Sequence, residues 1–194
     1  MRSPNGFIAG CAALTLLGFS AFAAADTSRP PVSYGTPISE ADVASWDIDI
    51  QTKSGKGLPP GQGSVAEGEK IFATKCAACH GAGAAGGPQY GAMFGGIGSM
   101  TEKKRKLTPG SMYPYAPILF DYTRRAMPMD APQSLSNNEV YALTAYIYHL
   151  NGLVEKDATV DAASLSAMKM PNRDGFIADD RPDTKAVRCM QDCN

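Results

Sequence analysis

The chain has 194 residues, 44% hydrophobic and 19% charged, which suits one globular domain with extensions and supplies enough apolar surface for a buried core. Its formal net charge of -1 offers no basic field of the kind that gathers nucleic acid, so that class of partner is set aside. Any charge-guided docking must rest on local patches.

At the N-terminus, Arg2 precedes an uncharged stretch from Phe7 to Ala25 that ends in Ala23, Ala24 and Ala25, the small residues a signal peptidase requires. Residues 1–25 therefore read as a cleaved export peptide, with the mature chain beginning near Asp26. A retained membrane anchor is the alternative, because the stretch approaches the length of a short span. Ile8-Ala9-Gly10-Cys11 resembles a lipoprotein box, but most of the apolar residues follow Cys11. Cleavage leaves Cys76, Cys79, Cys189 and Cys193. An oxidising compartment permits a Cys189–Cys193 disulfide, and so short a loop would pin the tail without holding up the fold.

Residues 26–63 are rich in Pro, Gly and Ser and read as an extended arm without helical period, with Trp46 expected to pack on the domain surface. Ser64-Val65-Ala66-Glu67 has capping-box spacing and starts a helix that places Gly68 and Phe72 on one face and runs into Cys76. Residues 81–100 contain eight glycines and predict a loop wrapped closely against something flat. Lys103-Lys104-Arg105-Lys106 reads as a solvated basic turn, with a docking patch as the alternative. A short helix is expected over 118–126, stopped by Met127-Pro128. Ser136-Asn137-Asn138-Glu139 is a second capping box, followed by Val140, Leu143, Ile147 and Leu150 at helical spacing until Gly152. From Leu153 the periodicity fades, and 171–182 reads as an extended tail. The expected organisation is an arm over 26–63, a domain over 64–152 and an extension over 153–194.

The segment Cys76-Ala77-Ala78-Cys79-His80 carries the chemistry. Two thiols two residues apart can each form a thioether with a haem vinyl group, while the adjacent imidazole ligates iron. A zinc site would need a second close ligand pair, available only from Cys189 and Cys193, and a thioredoxin-like pair would need a βαβ context. One covalently bound haem c is the expected cofactor. The sixth iron ligand is not expected to be His149, which lies about 180° around its helix from Val140 and so faces away from Leu143 and Ile147. A thioether raises the reduction potential relative to a second histidine. Arg124, Arg125, Tyr113 and Tyr115 are candidates to hold the haem propionates, with a wet helix face and packed rings as the other reading.

With a helix before Cys76, a Gly-Pro loop after His80 and an aromatic-bearing terminal helix, the chain resembles the class I cytochromes c. The resemblance implies an all-α fold whose first and last helices cross, here through Gly68, Phe72 and Tyr146. It implies that the Pro88 carbonyl accepts the Nδ1 hydrogen of His80, fixing the ring and its basicity. It also implies Met127 as the sixth ligand, since Met127 ends a helix roughly fifty residues after the motif. Met129 is the second candidate. A haem with both axial positions filled by protein offers no open site, which leaves outer-sphere electron exchange and no catalytic step. A peroxidase would need loss of the methionine or a second haem.

Trp46-Asp47-Ile48-Asp49-Ile50, Gly57-Leu58-Pro59-Pro60-Gly61, Tyr113-Pro114-Tyr115-Ala116, Arg124-Arg125-Ala126-Met127-Pro128 and the tail from Lys169 to Cys193 extend the resemblance over most of the mature chain. They are similar to the cytochrome subunits of periplasmic molybdenum sulfite dehydrogenases and of the sulfur dehydrogenase of thiosulfate oxidation. That implies a periplasmic electron-transfer subunit that accepts electrons from a molybdenum subunit oxidising sulfite to sulfate and passes them to another cytochrome or an oxidase. A general soluble carrier is the alternative, and a haem enzyme or sensor a remoter one. The chain departs from those relatives in having one haem-attachment motif, where sulfur dehydrogenase cytochromes commonly have two haem domains, and in having Met129 where an aromatic is expected.

Overall fold

The structure, a computed structural model, describes residues 35–181. The expected export peptide and the Cys189–Cys193 pair lie outside the described residues. The chain divides into two units: of the first, which ends at Ser39, only exposed residues 35–39 are described, and the second begins at Glu40. Among the described residues no helix is long and apolar enough to cross a membrane.

Two helices meet at the centre of the second unit. Helix α2 (Val65–Lys75) follows the short helix α1 (Glu40–Ala44) and the strand β1 (Gln62–Ser64). Its predicted cap is present: Glu67 donates its backbone N–H to the Ser64 side chain, and the Ser64 N–H donates to the Glu67 carboxylate. The terminal helix, Asn137–Leu150, has the same reciprocal cap between Ser136 and Glu139. With the single-turn helices α3 (Ala77–His80) and α4 (Pro109–Met112), and α5 (Pro117–Ala126), it becomes α6.

Helices α2 and α6 cross at Gly68. A Cβ placed there would lie 1.9 Å from the Ala142 carbonyl oxygen and 2.7 Å from Tyr146 Cβ, so only hydrogen fits between the backbones. One turn on, the Phe72 and Tyr146 rings pack at 5.5 Å, tilted by 52°, a favoured aromatic geometry. The crossing implied by the resemblance is formed by the residues expected to form it.

Helix α6 is more deeply placed than its one-faced pattern suggests, because every residue from Val140 to Tyr148 is buried. Its outer face is covered by β1 and by the extension after Gly152. Strand β1 pairs antiparallel with β2 (Thr159–Asp161), Gly63 opposite Val160, and Gly63 lies so close to α6 that a Cβ would be 2.2 Å from the Ala142 nitrogen. Helix α7 (Ala162–Ala167) follows, capped reciprocally by Asp161 and Ser164. Val160, Leu165 and Met170 are buried with the core, and Asn172 donates to the Met112 carbonyl at 3.0 Å. The extension is thus part of the packed unit up to this point, while Phe176 and Ile177 are exposed.

The arm also departs from expectation. It contains α1 and β1, elements too short to show a period. Trp46 does not pack on the domain: its side chain is 83% exposed. The Trp46 and Asp47 N–H groups both donate to the Val43 carbonyl, a tight turn that directs the ring outward, and Ile50 is the residue that enters the core. The basic segment 103–106 is exposed, and Lys106 Nζ lies 5.5 Å from the Phe94 ring centroid.

Glu139 pairs with Lys75 at 2.7 Å, joining α6 to the end of α2. That ion pair, followed by the Ser136 N–H, lowers its carboxyl from an ordinary 4.5 to about 2. Because the folded value is the lower one, the stabilisation is complete above the unfolded carboxyl range and disappears as pH falls from 4.5 towards 2. Glu139→Gln keeps a capping side chain but loses the ion pair, so it should cost about 1 kcal/mol at pH 7 after solvent screening and nothing near pH 2, as read by urea denaturation at both pH values. Gly68→Val should cost more than about 3 kcal/mol at any pH, because the atom it meets is backbone and cannot swing aside.

Candidate functional site

Helix α2 delivers its C-terminal end to the Cys-x-x-Cys-His segment. Cys76 closes that helix by donating its N–H to the Phe72 carbonyl at 2.9 Å, and α3 begins at once. Within that single turn, Cys79 and His80 both donate their N–H groups to the Cys76 carbonyl, at 3.2 and 3.0 Å. Residues three and four apart on a helical turn share a face, so the two thiols and the imidazole are presented together. Gly81, with φ of 79°, ends the turn.

The glycine-rich loop then folds back against the motif. The Gly86 N–H donates to the His80 carbonyl at 2.9 Å, and a Cβ on Gly81 would lie 2.0 Å from the Gly86 carbonyl oxygen. The loop is secured further on by Asn151, a buried residue at the end of α6. Its side-chain amide donates to the carbonyls of Met93 and Ile147 and its oxygen accepts from the Gly95 N–H.

The opposite wall comes from α5. Met127 caps that helix, its N–H bonded to the Thr123 carbonyl at 3.1 Å, and the chain turns through Pro128 to Met129. Between the walls lies a cavity of about 250 Å³ lined by Phe72, Cys76, Cys79, His80, Tyr90, Met93, Thr123, Met127, Met129, Leu143 and Ile147, among others. Phe72 comes from α2 and Leu143 and Ile147 from α6, so the floor of the cavity is the crossing itself. Lys75 and Asp130 stand among the lining residues as its charged members.

Burial pushes the Cys76 thiol up to about 11 against the opposing pull of the Lys75 ammonium. Burial also lowers the His80 imidazole, favouring the neutral form whose lone pair can ligate a metal. Both cysteines are free thiols. The ring of Tyr90 stacks on His80 at 5.1 Å, and its hydroxyl donates to Met129 Sδ at 3.8 Å. Tyr90 was missed by sequence reasoning, although it is the first of two large aromatics, with Phe94, in the small-residue run that follows Gly87-Pro88.

Cys76, Cys79, His80, Met127 and Met129 are brought together; the other candidates are not. Pro88 is exposed and its carbonyl does not receive a bond from His80, whose Nδ1 is buried without a partner. The Gly87 N–H donates instead to the Tyr90 carbonyl, and this tight turn carries Pro88 outward. Arg125 pairs with Asp121 at 2.6 Å and Asp49 at 3.5 Å, and Arg124 donates to the Ile48 carbonyl at 3.5 Å, so both guanidinium groups are directed to the arm. Tyr115 lies under the Arg173 guanidinium at 4.2 Å, and Tyr113 packs against the core, so neither ring lines the cavity. His149 is turned to the Val154 carbonyl at 3.0 Å.

The cytochrome c family model matches residues 65–151. The match begins with α2 and ends with the Asn151 cap of α6. A chain of the sulfane dehydrogenase SoxCD from Paracoccus pantotrophus superposes with a TM-score of 0.72 at 36% identity, over 84% of this chain and 82% of that one. The chain belongs to the cytochrome c family. No curated protein sequence matches it. As a cytochrome c it is an electron-transfer protein that uses haem c, and its fold is the helical class I fold with a small two-stranded sheet added. The site fits that group: two adjacent free thiols, an orphaned buried imidazole nitrogen and a thioether on the far wall surround an apolar cavity.

Proposed function

We propose that this chain is a periplasmic, single-haem electron-transfer subunit that takes electrons from a molybdenum-containing sulfur- or sulfite-oxidising partner and hands them to a further cytochrome or an oxidase. The observation that carries the reading is the convergence of Cys76, Cys79, His80 and Met127 on one apolar cavity, in a chain 36% identical to part of a sulfane dehydrogenase.

Cys76 and Cys79 would form the two thioether links, at the spacing that the α3 turn sets. His80 and Met127, which both line the cavity, would ligate the iron. Haem c, when bound there, supplies reversible one-electron iron chemistry. Phe72, Leu143 and Ile147 keep water from the floor, which favours the less charged oxidation state and, together with the thioether ligand, holds the potential up. With both iron positions held by protein side chains the chain would break no substrate bond, and its partner would do the chemistry. The sequence carries one Cys-x-x-Cys-His segment, which supports the reading of one haem. The apolar stretch 7–25 supports export.

Purification of the tagged native protein should recover a molybdenum subunit, and adding sulfite or a sulfane-sulfur substrate should reduce the haem. Haem that is reduced by other cytochromes but never by those substrates would leave a general carrier in place of this subunit. Met127→Ala should abolish the methionine-to-iron band at the red end of the ferric spectrum and lower the midpoint potential, while Met129→Ala should retain both. The reverse pattern would assign the ligand to Met129.

A further inference from the structure

The arm holds a feature that electron transfer at the haem cavity does not use. Between residues 40 and 52 there are four carboxylates, on Glu40, Asp42, Asp47 and Asp49, and no Lys or Arg. Among them stands Trp46, the only tryptophan of the chain, 83% exposed, with Val43 exposed three residues before it. An indole left in water costs apolar hydration that a folded chain ordinarily avoids by packing.

The segment beneath the ring is not loose. Ile50 is buried in the core, Arg125 pairs with Asp49, Arg124 donates to the Ile48 carbonyl, and Gln51 bridges to Lys56. On the N-terminal side the Trp46 and Asp47 N–H groups are both held by Val43, and Ile48 donates back to the Trp46 carbonyl. The backbone is thus fixed while the ring projects. A preorganised aromatic on a fixed support is the form taken by residues that dominate binding energy at protein interfaces. The support is also tied to the cavity, because Arg124 and Arg125 are in the last turn of α5 and Met127 is the next residue but one after Arg125.

We propose that Trp46 is the anchor of the docking surface for the molybdenum partner, inserting into an apolar slot rimmed by Arg or Lys that complements Glu40 and Asp47. The inference rests on the proposed function and adds to it the place and chemistry of contact. Apolar insertion supplies the affinity, and the carboxylates supply orientation and a salt-sensitive association rate. Docking on this side sets the partner against the α5 wall.

The test uses the haem-loaded protein and the molybdenum subunit recovered with it, separated and remixed. Trp46→Ala should weaken binding about tenfold or more, with the haem spectrum, thermal midpoint and reduction by dithionite unchanged. Asp47→Lys should slow association and flatten its dependence on salt. Trp46→Ala protein that binds as tightly as the unaltered chain overturns the docking surface and leaves the proposed function standing. Failure to recover or rebind a molybdenum subunit with the unaltered chain removes both.

Discussion

The close approach of two backbones at Gly68 and Ala142 is the constraint from which the rest of the molecule follows. With no side chain between them, α2 and α6 can cross near contact, and the next residues outward, Phe72 and Tyr146, meet as a tilted aromatic pair. The crossing fixes where α2 ends. Since Cys76 is its cap and the motif occupies the following turn, the position of both thiols and the imidazole is inherited from a contact two turns earlier. The same crossing lays Leu143 and Ile147 under the cavity, so packing and site share one set of residues.

The electrostatics of the molecule are separated in a way that suits a redox site. Lys75, which lines the cavity, is paired with Glu139, the Arg125–Asp121 pair does not line it, and the cavity floor is aromatic and aliphatic. Arg125 is the clearest example of the division. It stands two residues from a sulfur of the cavity wall, yet its partners are Asp121 on its own helix and Asp49 of the arm. The guanidinium stitches the arm to α5 and does not line the cavity.

Local signals were legible wherever the chemistry is local. The reciprocal caps at Ser64 and Ser136 set the starts of both principal helices, and the Cys-x-x-Cys-His spacing is a single helical turn written in sequence. What depends on distant packing was not legible. Nothing near Val160, Leu165 or Met170 announces that they fill the outer face of α6, because their periodicity spans only a strand of three residues and a helix of six. The Asp161–Ser164 cap was present but used a residue pair other than the Ser–Glu form. Arg124 and Arg125 looked suited to an anionic group, and only the fold reveals that an arm more than seventy residues earlier claims them. Trp46 failed for the opposite reason: burial was inferred from its chemistry, whereas its turn directs it outward.

Asn151 has a consequence for how the glycine-rich segment behaves. One side chain bonds the end of α6, the Met93 carbonyl and the Gly95 amide, and it also lies against Gly110 at the start of α4. A stretch with so many glycines would by itself open at little free-energy cost. Tied through a single buried amide to the last turn of the central helix, it instead belongs to the same cooperative foldon, and its amides should exchange with solvent only as that helix end unravels. Rigidity is lent to the loop by a residue more than fifty positions away.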